Sequence, residues 1–360
     1  LTTAEADSAQ HPNAHTMKMN FLFGIAGMLL ALPAFPRTAI SQAPAPSRPG
    51  VRAVAPSDTT FDQRLIREIR DHQTAVTDVE YLSDVIGPRL TGSPGLAKAY
   101  AWAESTMTAR GMTGVHREAW DFGPSWTRGR ATARLVSQSG IDLDVAAYAW
   151  TPATKGTVRG EVITFGAPTM KDLQAKAGHF KGKIVLAAAL PAEMTHDDSA
   201  AALKIVQEMT DGALAYLMPS GKALAMTMSG TPNSRPGMRP KIPTAIIATE
   251  HYDLLNRLLA RGMPVTAEIN LPSTTSAKPV QAFNIIGEIR GSEKPDEVVI
   301  IGAHMDSWDL ATGATDNGTG TAAVLEALRA IKVIGVAPKR TIRGILFSGE
   351  EEGDLGSHAY

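Results

Sequence analysis

The sequence predicts an α/β fold, a doubly wound and mostly parallel sheet with a β-rich segment inserted into it. Three observations carry this reading. Near the C-terminus, Glu297–Ala303 (EVVIIGA) and Thr341–Phe347 are apolar runs of strand length, and Thr319–Lys332 between them repeats its apolar residues at helical spacing. Strand, helix and strand in that order argue for a parallel pair. Residues 61–110 carry helical periodicity, while the stretch from about 140 to 275 breaks into short β-type runs between Gly/Pro turns. A chain of 360 residues, 44% hydrophobic and 20% charged, is long enough for about two domains with buried cores.

The N-terminus reads as a targeting signal. Met17-Lys-Met-Asn precedes an apolar run, Phe21–Leu32, and Ser41-Gln42-Ala43 offers small residues for cleavage. The run is shorter than the roughly 20 residues needed to span a bilayer. The expectation is a signal peptide over residues 17–43, no membrane span after its removal, and a secreted or periplasmic mature chain. Residues 44–58, rich in Pro, Ala and Ser, read as a linker.

Phe61, Leu65, Ile66 and Ile69 then define the inward face of a first helix. A second carries Val79, Leu82, Val85 and Ile86 inward and stops at Gly87-Pro88. Ser93 caps a third, which Pro94 opens and Gly111 ends, with Leu96, Tyr100, Ala103 and Met107 on its buried face. The turn Thr91-Gly92-Ser93 is expected to serve that helix start rather than to line a cleft. Within the β-rich part the runs Val145–Trp150, Glu161–Phe165, Lys183–Ala187, Ala213–Met218 and Ala245–Ala248 are strands, with helices near 199–209 and 250–261. His179, His251 and the group His196-Asp197-Asp198 read as loop polar residues, not as ligands. After Pro279, Phe283–Ile289 alternates as a strand, and Glu297–Ala303, apolar on both faces, reads as a central strand covered on both sides.

A net charge of −1 provides no basic field, so nucleic acid is excluded as a partner. With no cysteine, any metal must be held by nitrogen and oxygen. The polar groups that matter fall at the ends of the two C-terminal strands, where α/β sheets place their ligands. His304 follows the first strand, and its neutral imidazole suits zinc. Asp306 can accept the other ring N–H and fix the tautomer. Asp316 precedes the connecting helix among Gly318 and Gly320, and its two oxygens could bridge two ions. Glu350 and Glu351 follow the second strand and point to different sides, so that one can bind metal while the other takes a proton from water.

The block VVIIGAHMDSWDLATGATDNGTG, followed by KRTIRGILFSGEEEGDLGSHAY, closely resembles family M28 of zinc peptidases, in its secreted branch that carries a protease-associated (PA) insert. IGPRLTGSPG and the pieces FKGKIVL, GALAY and KIPTAII extend the resemblance across most of the mature chain. It implies a zinc exopeptidase-like sheet with residues 44–140 and 276–360 in the peptidase domain and 141–275 in the PA-like insert. It implies that His304 binds one zinc, Asp316 bridges two, Glu351 binds the other, Glu350 is the general base and Asp306 supports His304. A cis peptide after Asp316 and peptide substrates cut near a free terminus are implied as well. The family completes its site with a further Asp and His downstream of the double-Glu block. The expectation is therefore a C-terminally truncated fragment, holding zinc weakly and inactive by itself, with an apolar sheet edge left unpaired. The alternatives are a non-catalytic scaffold or binding protein with the same domains, and an M20-type zinc amidohydrolase. In the latter the bridging Asp lies much further from the His.

Overall fold

Three helices and a turn open the described chain, and their sequence signals account for most of what they bury. The structure is a computed structural model that describes residues 56–360 apart from 139, 167, 168, 170, 172–174, 176, 177, 189–207, 209 and 224–238. The signal-like segment, His196–Asp198 and most of the helix expected near 199–209 lie outside the described residues. Helix α1 (Pro56–His72) is followed by α2 (Ala75–Glu80), which runs into a π-helical turn over Tyr81–Ile86. Helix α3 (Pro94–Ala109) starts as expected. The Ser93 hydroxyl accepts the Leu96 N–H at 3.2 Å, Pro94 opens the first turn, and Leu96, Tyr100, Ala103 and Met107 are buried. The second helix departs from expectation at one position. The wider π turn shifts the phase of the chain, so Leu82 stays buried while Val85 turns outward, 63% exposed. Ile66 of α1 faces solvent as well.

Strand β1 (Thr113–Thr127) follows, then β2 (Thr132–Leu135), β3 (Asp142–Leu143), β4 (Val145–Ala147), β5 (Val158–Phe165), β6 (Ile184–Ala187), β7 (Ala215–Pro219) and β8 (Thr244–Ile247). Helix α4 (Thr249–Ala260) and β9 (Thr266–Asn270) close this part. The remaining elements are β10 (Thr274–Ile289), β11 (Lys294–His304), α5 (Thr319–Val333), β12 (Arg340–Phe347) and α6 (Leu355–Ala359). Two mixed sheets result, so the α/β class holds. One is eight-stranded in the order β3-β2-β9-β5-β6-β7-β8-β4, and the other is four-stranded in the order β1-β10-β12-β11. Strands β5, β6, β7 and β8 pair in parallel, and β2, β3, β4 and β9 pair antiparallel.

The four-stranded sheet is mixed rather than mostly parallel among the described residues. Its β1–β10 and β10–β12 pairs are antiparallel and only β11–β12 is parallel, with α5 making the expected crossover between them. The long β1–β10 ribbon was not legible in the sequence at the β1 end. That strand alternates weakly, is interrupted by Gly123-Pro124, and shifts register at three places. A second correction concerns β11. The strand expected to be central lies at the sheet edge, and Val298, Val299 and Ile300 are 40–48% exposed. Its apolar residues are therefore uncovered along this edge.

Helices α3 and α5 share one core with the sheet: Leu96 and Met107 meet Leu325 and Leu328 over Ile285, Ile289 and Leu346. Gly344 of β12 lets Leu328 come down onto the strand, because a Cβ there would overlap the Leu328 side chain. Phe347 stacks edge-on against Tyr360 at the end of the chain. A larger core lies against the eight-stranded sheet and takes in Trp120, Phe122 and Trp126 of β1 together with Trp150.

Candidate metal centre

Strands β11 and β12 run parallel and in register to their last residues, so that His304 lies beside Phe347. Each strand then releases its chain at the same end of the sheet, and the groups that follow are brought together. After Phe347 the backbone turns at Gly349 (φ +74°), where a side chain would overlap the Trp120 ring. The turn is held from below by buried Asn284 of β10. Its Oδ1 accepts the Ser348 N–H at 3.2 Å, and its Nδ2 donates to the Gly356 carbonyl at 2.8 Å. Glu350 and Glu351 are thereby set on a fixed loop.

The Asp316 loop is built with equal constraint. Gly313 takes a left-handed conformation (φ +63°), and its carbonyl accepts the Gly318 N–H at 3.0 Å. The Asp316–Asn317 peptide is cis, and the Asn317 side chain accepts the Gly320 N–H at 2.8 Å at the start of α5. His304 Nε2 stands 3.1 Å from Asp316 Oδ1 and 3.5 Å from Glu350 Oε2. One donor atom each from His304, Asp316 and Glu351 lies within 4.8 Å of the others. All five residues singled out from the sequence converge here.

Asp306 is fully buried behind the imidazole. Its Oδ2 accepts from the Thr91 hydroxyl and from the Glu351 N–H, both at 3.2 Å. Its Oδ1 faces His304 Nδ1 at 3.5 Å, an ion-pair contact longer than a hydrogen bond, and among the described residues neither atom has a closer partner. The Glu351 carboxylate also accepts the Trp308 N–H at 3.3 Å. Asp309, in the same loop, pairs bidentately with Arg128 at 2.8 Å, and that guanidinium lies over the Trp126 ring.

The electrostatics are those of an acidic pocket short of positive charge. Burial raises the Glu351 carboxyl to about 8, and Asp306 and Asp316 push it in the same direction. Burial raises Glu350 too, against the pull of His304. Buried Glu352 is driven well above the usual carboxylate range, by burial first and then by Asp306. Burial works against the charge on His304, but Asp306, Glu350 and Glu351 outweigh it and hold the imidazole up at about 9. These residues fit a divalent cation. The donors are the nitrogen and oxygen types zinc takes, and the three groups already converge.

Two contributors were missed at the sequence level. Thr91, expected only to lead into α3, reaches Asp306, and Arg89 beside it is fully buried against the site loops. The available signal was a cation inside Gly87-Pro88-Arg89-Leu90, between apolar elements. His251 lies in α4 rather than in a loop, its Nδ1 accepting the Asp144 N–H at 2.9 Å.

Residues 284–360 match the family model described as Peptidase family M28. In sequence the chain is 32% identical over 287 residues to carboxypeptidase Q of Bos taurus, an alignment covering 78% of this chain and 59% of that protein. Among solved structures it is similar to a Peptidase M28 precursor from Shewanella amazonensis SB2B, with 30% identity and a TM-score of 0.67, covering 84% of this chain and 70% of that one. It is also similar to a zinc aminopeptidase from Bacillus subtilis, with 25% identity and a TM-score of 0.59, covering 79% and 63%. The chain spans 59% of the length of the carboxypeptidase Q relatives it matches.

Proposed function

The chain belongs to peptidase family M28, and from that premise we propose that its strand-end cluster is the metal site of a zinc-dependent exopeptidase that hydrolyses peptide bonds near a free terminus. The convergence of the His304, Asp316 and Glu351 donor atoms at the ends of two parallel strands, with Glu350 beside them, supports this reading most. In it, His304 and Glu351 would hold zinc and Asp316 would be a ligand shared between ions. Bound zinc supplies positive charge, which makes a water molecule more acidic and a scissile carbonyl more electrophilic. Glu350, whose pKa burial raises above the usual carboxylate value, accepts the proton of the attacking water and delivers it to the leaving amine. Asp306 holds the His304 ring from behind and, through Oδ2, steadies the main chain at Glu351.

Residues 141–275 form the PA-like insert and act as a lid that controls substrate access. Support comes from the short FKGKIVL, GALAY and KIPTAII pieces, whose strands are β6, β7 and β8 of the eight-stranded sheet. The signal-like segment points to a secreted or periplasmic enzyme. No helix among the described residues is long and apolar enough to cross a membrane.

The test uses the full-length enzyme. Hydrolysis of unblocked peptides should stop on chelation and return with zinc. Glu350→Gln should keep the metal and lower kcat by about 10²–10⁴-fold, the span of a lost general base. Wild-type turnover in that variant removes Glu350 from the chemistry, and chelator-resistant turnover removes the metal.

A further inference from the structure

Arg89 is among the largest fully buried side chains of the protein, and it is a cation. Buried arginine is costly unless every N–H is used and the charge is balanced. Here its guanidinium meets no carboxylate directly and spends its donors on main-chain carbonyls from three separate segments. Nε donates to Met305 at 2.8 Å. Nη1 donates to Thr312 at 2.8 Å, to Gly87 at 3.0 Å and to Leu82 at 3.2 Å. Nη2 donates to Gly313 at 2.7 Å. The main chain of Arg89 adds two bonds to Ser307, one through its N–H and one through its carbonyl.

The positions of these carbonyls are informative. Met305 lies between His304 and Asp306. Thr312 and Gly313 lead into Asp316, and the Gly313 carbonyl takes the Gly318 N–H as well, so that Asp316 is enclosed in a loop closed at its base. One planar group therefore ties the loop leaving β11 to the loop entering α5. Gly313 makes this possible, since a side chain there would overlap Arg89 and Ser307. The cation also lies in the field of Asp306 and Glu351, which counter the effect of burial on it. Positive charge behind the pocket offsets part of the repulsion among the carboxylates in front.

We propose that Arg89 is a positioning residue that sets the separation of His304 and Asp316 by clamping their two loops through main-chain carbonyls. The proposal rests on the metal-centre reading for its consequence, though its geometry does not depend on it. Lysine cannot substitute, because a single ammonium with three donors cannot span carbonyls that a rigid fork reaches from two sides.

The experiment compares Arg89→Lys, Arg89→Ala and a control, Arg329→Lys, in the full-length protein. Arg329 joins Glu68 to Glu326, a clasp between α1 and α5 that touches no site loop. Zinc affinity is measured by chelator competition. Amide hydrogen exchange at Ser307 and Gly318 is measured in metal-free protein, and folding is followed by circular dichroism. Arg89→Lys is expected to stay folded, to bind zinc at least tenfold more weakly, and to exchange the Gly318 amide at least tenfold faster. Millimolar methylguanidinium should recover part of the zinc affinity of Arg89→Ala. The control should melt earlier with zinc affinity unchanged. Wild-type affinity and exchange in Arg89→Lys overturn the proposal. An equal loss of zinc in the control does so too, and so does failure of both Arg89 variants to fold, which would make the residue a requirement of the fold alone. A wild-type protein that binds no zinc strikes the metal-centre reading, while the metal-free exchange data still decide whether Arg89 holds the loops.

Discussion

His304 is surrounded by Asp306, Asp316, Glu350 and Glu351, and without a cation that imbalance is relieved by protons. Glu351 at about 8 and His304 at about 9 both stand above their ordinary values of 4.5 and 6.5. A group whose folded pKa is raised stabilises the fold fully below its unfolded value and loses that contribution as pH climbs through the folded one. For Glu351 the window runs from pH 4.5 to about 8, and for His304 from 6.5 to about 9. Metal-free protein is therefore expected to melt at progressively lower temperature between pH 5 and pH 9, and zinc should flatten the slope by replacing protons with a cation. A melting temperature that rises across that window in the absence of metal would contradict the site electrostatics. The Asp316 carboxylate can be tested on its own: Asp316→Asn should release zinc, read by elemental analysis after dialysis. Retention of two zinc ions would remove Asp316 from the ligand set.

At the scale of elements, the parts that local rules govern were legible. The Ser93 cap, the Pro94 start and the inward face of α3 depend on residues within a few positions of one another, and all are as the spacing predicts. Ser93→Ala should cost about 1 kcal/mol, the usual worth of an N-cap, measured by urea unfolding. The strand–helix–strand unit of β11, α5 and β12 was also readable, because its apolar runs are long and its helix strongly periodic. Its close packing depends on Gly344, and Gly344→Ala should destabilise the protein by about 1–3 kcal/mol through overpacking against Leu328. A neutral outcome in the same unfolding assay would mean that Leu328 can swing aside. Elements without a dominant local signal were missed or misjudged. β1 carries bulges and a mixed exposure pattern, and the π turn before Gly87 altered a helical phase that propensity alone does not reveal.

Across the whole molecule the candidate ligands follow two neighbouring strands of the four-stranded sheet, β11 and β12, and β11 is also the exposed edge of that sheet. β11 provides His304 at its end and leaves Val298, Val299 and Ile300 open along its length. An exposed apolar edge invites pairing with another strand. Val299→Lys is accordingly expected to reduce self-association of residues 1–360, followed by sedimentation velocity; unchanged association would show that this edge is not the contact.

The sequence by itself determined the α/β class, the ligand types and their place at strand ends, because hydrophobic period and residue chemistry are local properties. His304, Asp306, Asp316, Glu350 and Glu351 could be named on that ground alone. Only the tertiary structure decided that Arg89 and Thr91 belong to the same site, since they act on loops more than two hundred residues away. It also decided the sheet order and the exposure of β11. Arg89 was the hardest to foresee for a simple reason: it recognises main-chain carbonyls, which every residue carries and no sequence pattern distinguishes.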